Sequence, residues 1–324
     1  MKSYIKAFCF SLVLVWVIPS FVLSFYTYDD VLQIEQTEPF QETEAKNVEV
    51  GYVRFYSDDG VQILSWENYL TGVLLSEIPG FFHAEAKKAQ AVVARTYATK
   101  IMDLGYKHPE GSVCGDPNCC QGYLSVARYM DLFSDISVVN DARDAVKATA
   151  GEVVTYNGNL IDATYFSCSG GRTEDAVAVW GTDIPYLQTV ESPGEEEAAV
   201  YTDLVEFTPE EFMARLGVSL PGAPSGWFGS VQYTQGGGVK TILICGQEYE
   251  GTDLRMQLGL RSTAFTIEVR DSRIYISTRG FGHRVGMSQY GADAMGRAGA
   301  DYQEIIAYYY QGVHVERVDS FWDD

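Results

Sequence analysis

From Val48 to Leu64 apolar and polar residues alternate (VEVGYVRFYSDDGVQIL), with turn residues at Ser57–Gly60. Period two with a central turn predicts a β-hairpin. At Trp66 the period changes. Tyr69, Leu70, Val73 and Leu74 recur at helical spacing and predict a helix over about Trp66–Ser76 with one buried stripe. Pro79 and Gly80 stop it, and an Ala-rich helix follows over about Ala84–Leu104, ended by Gly105. A helix at 140–150 shows one face in Ala142, Val146 and Thr149, and 151–171 reads as a hairpin around Asn157–Gly158. Thr208, Pro209 and Glu211 open a short capped helix. Residues 217–238 are rich in Gly, Pro and Ser, and GGG at 236–238 marks a loop or bulge. KTILICG, AFTIEVR and RIYISTRG within 239–280 are β-patterned, and the last helix lies near Asp301–Tyr310. Helices and strands mix without regular βαβ alternation, so the fold class is α+β: helices and β-hairpins around one cleft.

The N-terminus has another pattern. Lys2 and Lys6 precede a charge-free apolar run from Ala7 to Phe25. This length is close to the minimum for a transmembrane helix, with the N-terminus on the cytoplasmic side. An uncleaved anchor over 1–25 is the preferred reading, and a cleaved signal peptide is the competing one. Either places the remainder outside the cytoplasm. Residues 26–47 are acidic and aperiodic, as a tether would be. The ectodomain then spans 48–317.

Charge removes one class of partner. The formal net charge of −21 argues against nucleic acid, whose phosphates need a basic surface.

Glu77 ends the first predicted helix, with Leu74, Leu75, Ile78, Phe81 and Phe82 around it in sequence. A carboxyl group in apolar surroundings resists ionising, which is the tuning a general acid needs. Its other reading is an exposed carboxylate at a helix end. No second carboxylate shares this context. Glu67 lies nearly three turns back and about 80° round the helix, and Glu85 sits in the first turn of the next helix. His108, Cys114, Cys119 and Cys120 form H-x5-C-x4-C-C, four N/S donors that suit tetrahedral zinc. Disulfides are the alternative in an extracytoplasmic chain, although five ectodomain cysteines leave one over.

Three stretches carry a resemblance: ENYLTGVLLSEIPGFFHAEAKKAQAVVARTYA, SCSGGRTEDAVAVWGTDIPYL at 167–187, and RGFGHRVGMSQYGADAMGRAGADYQEIIAYYYQGV at 279–313. In this order they resemble the stage II sporulation protein D family over about residues 50–316. The resemblance implies a peptidoglycan lytic transglycosylase that cleaves peptide-stripped glycan between N-acetylmuramic acid and N-acetylglucosamine, leaving 1,6-anhydro ends. It implies Glu77 as the catalytic acid and Arg95 as a cleft residue suited to a lactyl or N-acetyl oxygen. Ser169 in the small-residue turn, and His283, Gln289 and Tyr290 in GHRVGMSQYGA, are the further expected sugar contacts. For His283 a satisfied core histidine is an equal reading. Some members carry zinc in the same Cys/His loop, which implies a structural zinc on His108, Cys114, Cys119 and Cys120. The implied setting is the engulfment complex, with an amidase and a membrane scaffold as partners, in the mother-cell membrane facing the forespore. Related proteins act as amidase enhancers, so a non-catalytic peptidoglycan binder is the alternative. Two positions depart from the pattern. Phe166 stands where many members have His, and Arg284 where many have Gly, so a changed local conformation is expected at Arg284.

Overall fold

The structure is a computed structural model, and it describes residues 52–105 and 107–317. The anchor and tether expected over 1–47 lie outside the described residues. Within them, no helix is long and apolar enough to cross a membrane.

The hairpin forms as patterned: β1 (Tyr52–Ser57) pairs antiparallel with β2 (Gly60–Ser65). Ser65 then caps α1 (Trp66–Glu77), its side chain accepting from the Asn68 N–H at 3.2 Å. The helix ends where Ile78 turns extended, one residue before Pro79. Helix α2 (Ala84–Leu104) is the hub of the first lobe. Its residues 89–96 are all buried, since α1, α4 (Ile136–Ala148), α8 (Gln289–Arg297), α9 (Tyr302–Tyr309) and β4 (Glu152–Tyr156) pack around it. A helix covered on every side needs small side chains, which accounts for its alanines. β3 (Val113–Cys114) joins β1 in parallel, and α3 (Val126–Phe133) follows the loop at 115–125.

Asn157–Gly158 turns the chain from β4 into β5 (Asn159–Leu160), but the expected long second strand stops there. β6 (Tyr165–Phe166) pairs instead, in parallel, with β13 (Met287–Ser288). The C-terminal β14 (His314–Arg317) pairs along the other edge of β4, which therefore lies between β14 and β5. Helix α5 (Ala176–Trp180) follows the SCSGG turn.

Residues 202–279 build a second core. β7 (Thr202–Phe207), β11 (Phe265–Arg270) and β12 (Arg273–Arg279) form one antiparallel sheet with β12 in the middle. β8 (Phe228–Tyr233), β9 (Val239–Ile244) and β10 (Gln247–Glu250) form another. Phe212 of the capped helix α6 (Pro209–Leu216), Leu254 of α7 (Gly251–Leu258), Trp227, Ile244 and Ile274 fill the space between them. The first core draws on 53–187 and 285–313, so this lobe is inserted into it.

Arg284 fastens the insertion. Only 2 % exposed, its guanidinium donates to the carbonyls of Ser169, Arg172 and Gly236 at 2.7 Å each and to Glu174 Oε1 at 3.2 Å. The Gly238 N–H and Thr234 hydroxyl also donate to Glu174 Oε1. Arg284 has a φ of 67°, in the left-handed region that glycine adopts most readily, and its hydrogen bonds offset that conformation.

Candidate functional site

Glu77 is the last residue of α1, where the negative end of the helix dipole disfavours a carboxylate. Leu74, Leu75, Ile78 and Phe82 are buried beside it, whereas Phe81 turns outward and is 68 % exposed. Phe81 therefore does not belong to the apolar surroundings expected for Glu77. Burial pushes the Glu77 carboxyl above the ordinary glutamic range. The Gly122 N–H donates to Oε1 at 2.5 Å and opposes that rise, as does the Gln289 side chain. Tyr165 opposes the rise as well, while its hydroxyl donates to Gln121 Oε1 at 3.0 Å.

Two glycines bring the loop this close. A side chain on Gly72 would strike the Tyr123 ring, whose neighbour Leu124 bonds the Gly72 carbonyl through its N–H at 3.0 Å. A Cβ on Gly122 would lie 2.5 Å from Ser76 Oγ and 2.9 Å from Glu77 Oε1. Only a bare backbone fits there. From the other side, Asp293 and Arg297 of α8 clamp the α1–α2 connection. Asp293 Oδ1 accepts from the His83 N–H at 2.6 Å, and Arg297 donates to the Phe81 carbonyl at 2.9 Å and to Asp293 Oδ2 at 2.8 Å. Phe82 packs edge-on against Tyr290 at 4.9 Å.

The expected site residues divide. Gln289 is beside Glu77, and Tyr290, next in α8, is half-buried on Phe82. Arg95 does not face a cleft: it is 2 % exposed and donates to the Glu152 carbonyl at 2.9 Å and the Val146 carbonyl at 3.5 Å, tying α2 to α4 and β4. Ser169 is fully buried, with its hydroxyl donating to Glu195 Oε2 at 2.8 Å. Both are withdrawn as sugar contacts for that reason. His283 lies between the Phe166 and Trp180 rings, and its Nδ1 accepts from the Val285 N–H at 3.1 Å. Burial, then the nearby Arg255 charge, drops its pKa to about 4, so the ring is neutral near pH 7. These contacts hold one edge and the faces of a half-buried ring.

Sequence reasoning missed Gln121, Gly122 and Tyr165. Gln121–Gly122 directly follows the cysteine pair and Tyr165 precedes the SCSGG turn. Position beside a motif was the available signal, since neither residue type by itself points to catalysis.

His108, Cys114, Cys119 and Cys120 converge. Their ligand atoms all lie within 4.8 Å of one another, with His108 Nε2 3.2 Å from Cys119 Sγ. All five described cysteines are free thiols. Three thiols and an imidazole at this spacing fit one tetrahedral metal and fill all four of its positions. The cluster sits at the base of the loop that reaches Glu77: Cys120 is followed by Gln121 and then by Gly122.

A family model described as Stage II sporulation protein matches residues 57–156, from the first hairpin through β4. The chain is 38 % identical over 270 residues to Stage II sporulation protein D of Bacillus subtilis (strain 168), covering 82 % of this chain and 78 % of that protein. Identity and coverage are the same for its namesake from Bacillus amyloliquefaciens. An Amidase enhancer of Bacillus subtilis is 27 % identical over 301 residues, 75 % of this chain and 39 % of that protein. The chain belongs to the stage II sporulation protein D family.

Proposed function

We propose that this protein is a lytic transglycosylase acting on peptide-stripped peptidoglycan strands during sporulation, with Glu77 as its acid. The observation that carries the reading is a half-buried carboxyl at a helix end, its pKa raised by burial, with the Gln289 side chain beside it. Neutral Glu77 protonates the glycosidic oxygen as the bond to the muramoyl C1 breaks. The resulting carboxylate then takes the proton of the muramoyl 6-hydroxyl, whose oxygen closes on C1 and leaves a 1,6-anhydro end. Hydrolysis through two carboxylates is less well supported. Glu67 pairs with Lys147 at 3.3 Å, and Glu85 pairs with Lys88 at 2.7 Å while accepting the Tyr302 N–H.

His108, Cys114, Cys119 and Cys120 would hold a structural zinc, which supplies no step of the reaction and fixes the loop that carries Gly122. The setting we propose is an ectodomain outside the cytoplasm on an N-terminal membrane anchor, in the mother-cell membrane facing the forespore, working with a cell-wall amidase and a membrane scaffold.

The test is digestion of stripped strands by the wild-type protein and by Glu77→Gln, with the fragments weighed. The expected products carry anhydro ends, and the variant is slower by roughly two to four powers of ten. Reducing ends would mean hydrolysis by a second group. No cleavage by the wild-type protein, with stimulation of an amidase, would select the enhancer reading that the 27 % identical relative brings in.

A further inference from the structure

The connection between α1 and α2 carries two neighbouring phenylalanines that turn opposite ways. Phe82 is buried and packs edge-on against Tyr290 at 4.9 Å, and the exposed Phe81 rests edge-on against Phe82 at 5.4 Å. A single exposed aromatic ring is ordinary on a protein surface. Phe81 is set apart by how firmly its backbone is held. The Phe82 N–H closes a turn onto the Pro79 carbonyl at 3.1 Å. On the other side α8 comes so close that a Cβ on Gly296 would lie 2.8 Å from His83 Nδ1.

Arg297 completes the hold and brings a charge. Its i,i+4 pair with Asp293 and its place at the C-terminus of α8 are ordinary helix chemistry. Its reach to the Phe81 carbonyl, 216 residues away in sequence, is not. The two contacts use two of the five guanidinium N–H donors, Nε toward Asp293 and one on Nη2 toward Phe81. Three donors remain, on a side chain that is 54 % exposed. Asp293 offsets part of the charge, while its other oxygen is taken by the His83 N–H. In a chain of net charge −21, such a guanidinium gives an anionic ligand a local foothold. Phe81 is also close to the acid. It follows Glu77 by four residues, so their Cα atoms are at most about 14 Å apart. A glycan bond held at Glu77 is therefore within a few sugar residues of Phe81.

We infer that Phe81 and Arg297 form a rim subsite for a muramoyl residue whose lactyl carboxylate is free. The inference rests on Glu77 cleaving glycan. The Phe81 ring takes the apolar C–H face of the sugar, and the open fork of Arg297 pairs with the carboxylate. Because Asp293 and the Phe81 carbonyl already fix that fork, little ordering is left for the ligand to impose. On a strand that keeps its stem peptides the same lactyl group ends in a neutral amide, and Arg297 loses its anion. The pair thus distinguishes stripped from peptide-bearing strands. A protein partner would also cover an exposed ring, but the open donors tied to the same residue favour an anionic sugar.

The test measures binding to the full-length chain carrying Glu77→Gln, which holds strands uncut. The two probes are stripped glycan strands and the same strands with their lactyl carboxylates converted to methyl amides. The parent should prefer the acidic strands roughly fivefold at low salt. Arg297→Gln should lose that preference and keep its affinity for amidated strands within about a factor of two. Phe81→Ala should weaken both probes roughly tenfold, with its urea midpoint unchanged. Equal loss on both probes in Arg297→Gln, or no preference in the parent, overturns the carboxylate contact and leaves Arg297 a clamp. If Arg297→Gln loosens the connection, the parent's preference and Phe81→Ala still decide, since Phe81→Ala removes no hydrogen bond. Undiminished binding of both probes by Phe81→Ala overturns the subsite, and lost stimulation of an amidase by that variant would make the ring a protein contact instead. Failure of the wild-type protein to cut stripped strands would overturn the reading of Glu77 and the inference with it. Cleavage that persists alongside undiminished binding by Phe81→Ala removes the subsite alone.

Discussion

Glu195 and Glu77 are both carboxylates of the first lobe, and the fold surrounds them in opposite ways. Glu195 is 1 % exposed and accepts six hydrogen bonds. Ser192 and Ser288 hydroxyls reach Oε1 at 2.6 Å, while the Ser169 N–H and hydroxyl, the Gly170 N–H and the Cys168 thiol reach Oε2 between 2.8 and 3.1 Å. It ties three distant stretches together: the SCSGG turn, its own loop and the entry to α8. Glu77 has one backbone donor, the Gln289 and Tyr165 side chains near it, and the buried Leu74, Leu75, Ile78 and Phe82 around it. Saturating a carboxylate with donors makes it an architectural fastening. Leaving one undersupplied at a helix end raises its pKa, which suits a proton donor.

The largest effect that can break this comparison comes from exchanging each carboxylate for its amide. In Glu195→Gln one of the two ends becomes a donor facing donors. The Ser169 and Gly170 N–H groups cannot turn away, so the amide oxygen must stay with them, and its NH2 then faces the Ser192 and Ser288 hydroxyls, which lose their acceptor and have to turn round. A destabilisation of about 3 kcal/mol is expected from these two lost bonds, read as the urea midpoint of the full-length protein. Glu77→Gln should keep its midpoint within about 1 kcal/mol, since its one backbone donor still finds an amide oxygen. A stable Glu195→Gln that loses only cleavage would erase the distinction.

Metal removal sharpens it. The Cys/His cluster holds the base of the 115–125 loop, while the Glu195 network is built from other stretches. A thiol-competent chelator should lower the melting temperature and release about one zinc per chain. In hydrogen exchange the Gly122 amide should lose protection first, with the Ser169 and Gly170 amides still protected. Simultaneous loss at both places would mean one cooperative unit rather than two differently built regions. A peptide map showing Cys114 in a disulfide would remove the metal altogether.

How much of this was legible follows the range of the signals. Local periodicity, stops and capping placed α1, α2 and α6 nearly to the residue, because Pro79, Gly105, Thr208 and Pro209 act within a turn of where they stand. Strand partners were not legible. The chain after Asn157–Gly158 looks like a long hairpin arm, yet β5 pairs for two residues only, and the other edge of β4 takes β14, over a hundred and fifty residues away in sequence. Nor did one ectodomain read as two cores, since nothing local says that 202–279 packs on itself. At the site, Glu77 could be read from its own neighbours, but Gln121 and Gly122 arrive from across the fold. Glu195 stands in a run of three glutamates with nothing to separate it from Glu196 and Glu197. Its loop is polar in sequence, SPGEEEAA at 192–199, whereas six hydrogen bonds anchor Glu195 within the lobe.

Arg95 gives the smallest effect and tests where a charged residue falls between the two kinds. By motif it belongs with the substrate, and by geometry it belongs with Glu195: buried, and committed to the Glu152 and Val146 carbonyls. Desolvation lowers its pKa to about 10, with the nearby Glu152 charge working the other way, so it remains a cation near pH 7. Arg95→Met keeps much of the stem's volume and leaves two buried carbonyls without that donor. The expected loss is about 1–3 kcal/mol of stability. Affinity for stripped glycan, measured well below the melting transition, should stay within about a factor of two of wild type, a change too small to signal a lost charged hydrogen bond. A Phe81→Ala variant, which alters an exposed side chain and no hydrogen bond, gives the stability baseline. If Arg95→Met instead weakens binding tenfold or more while its urea midpoint stays put, the guanidinium reaches the glycan after all. Burial would then have misassigned it, and the rule that separates Glu195 from Glu77 would fail at the residue where motif and geometry disagree most directly.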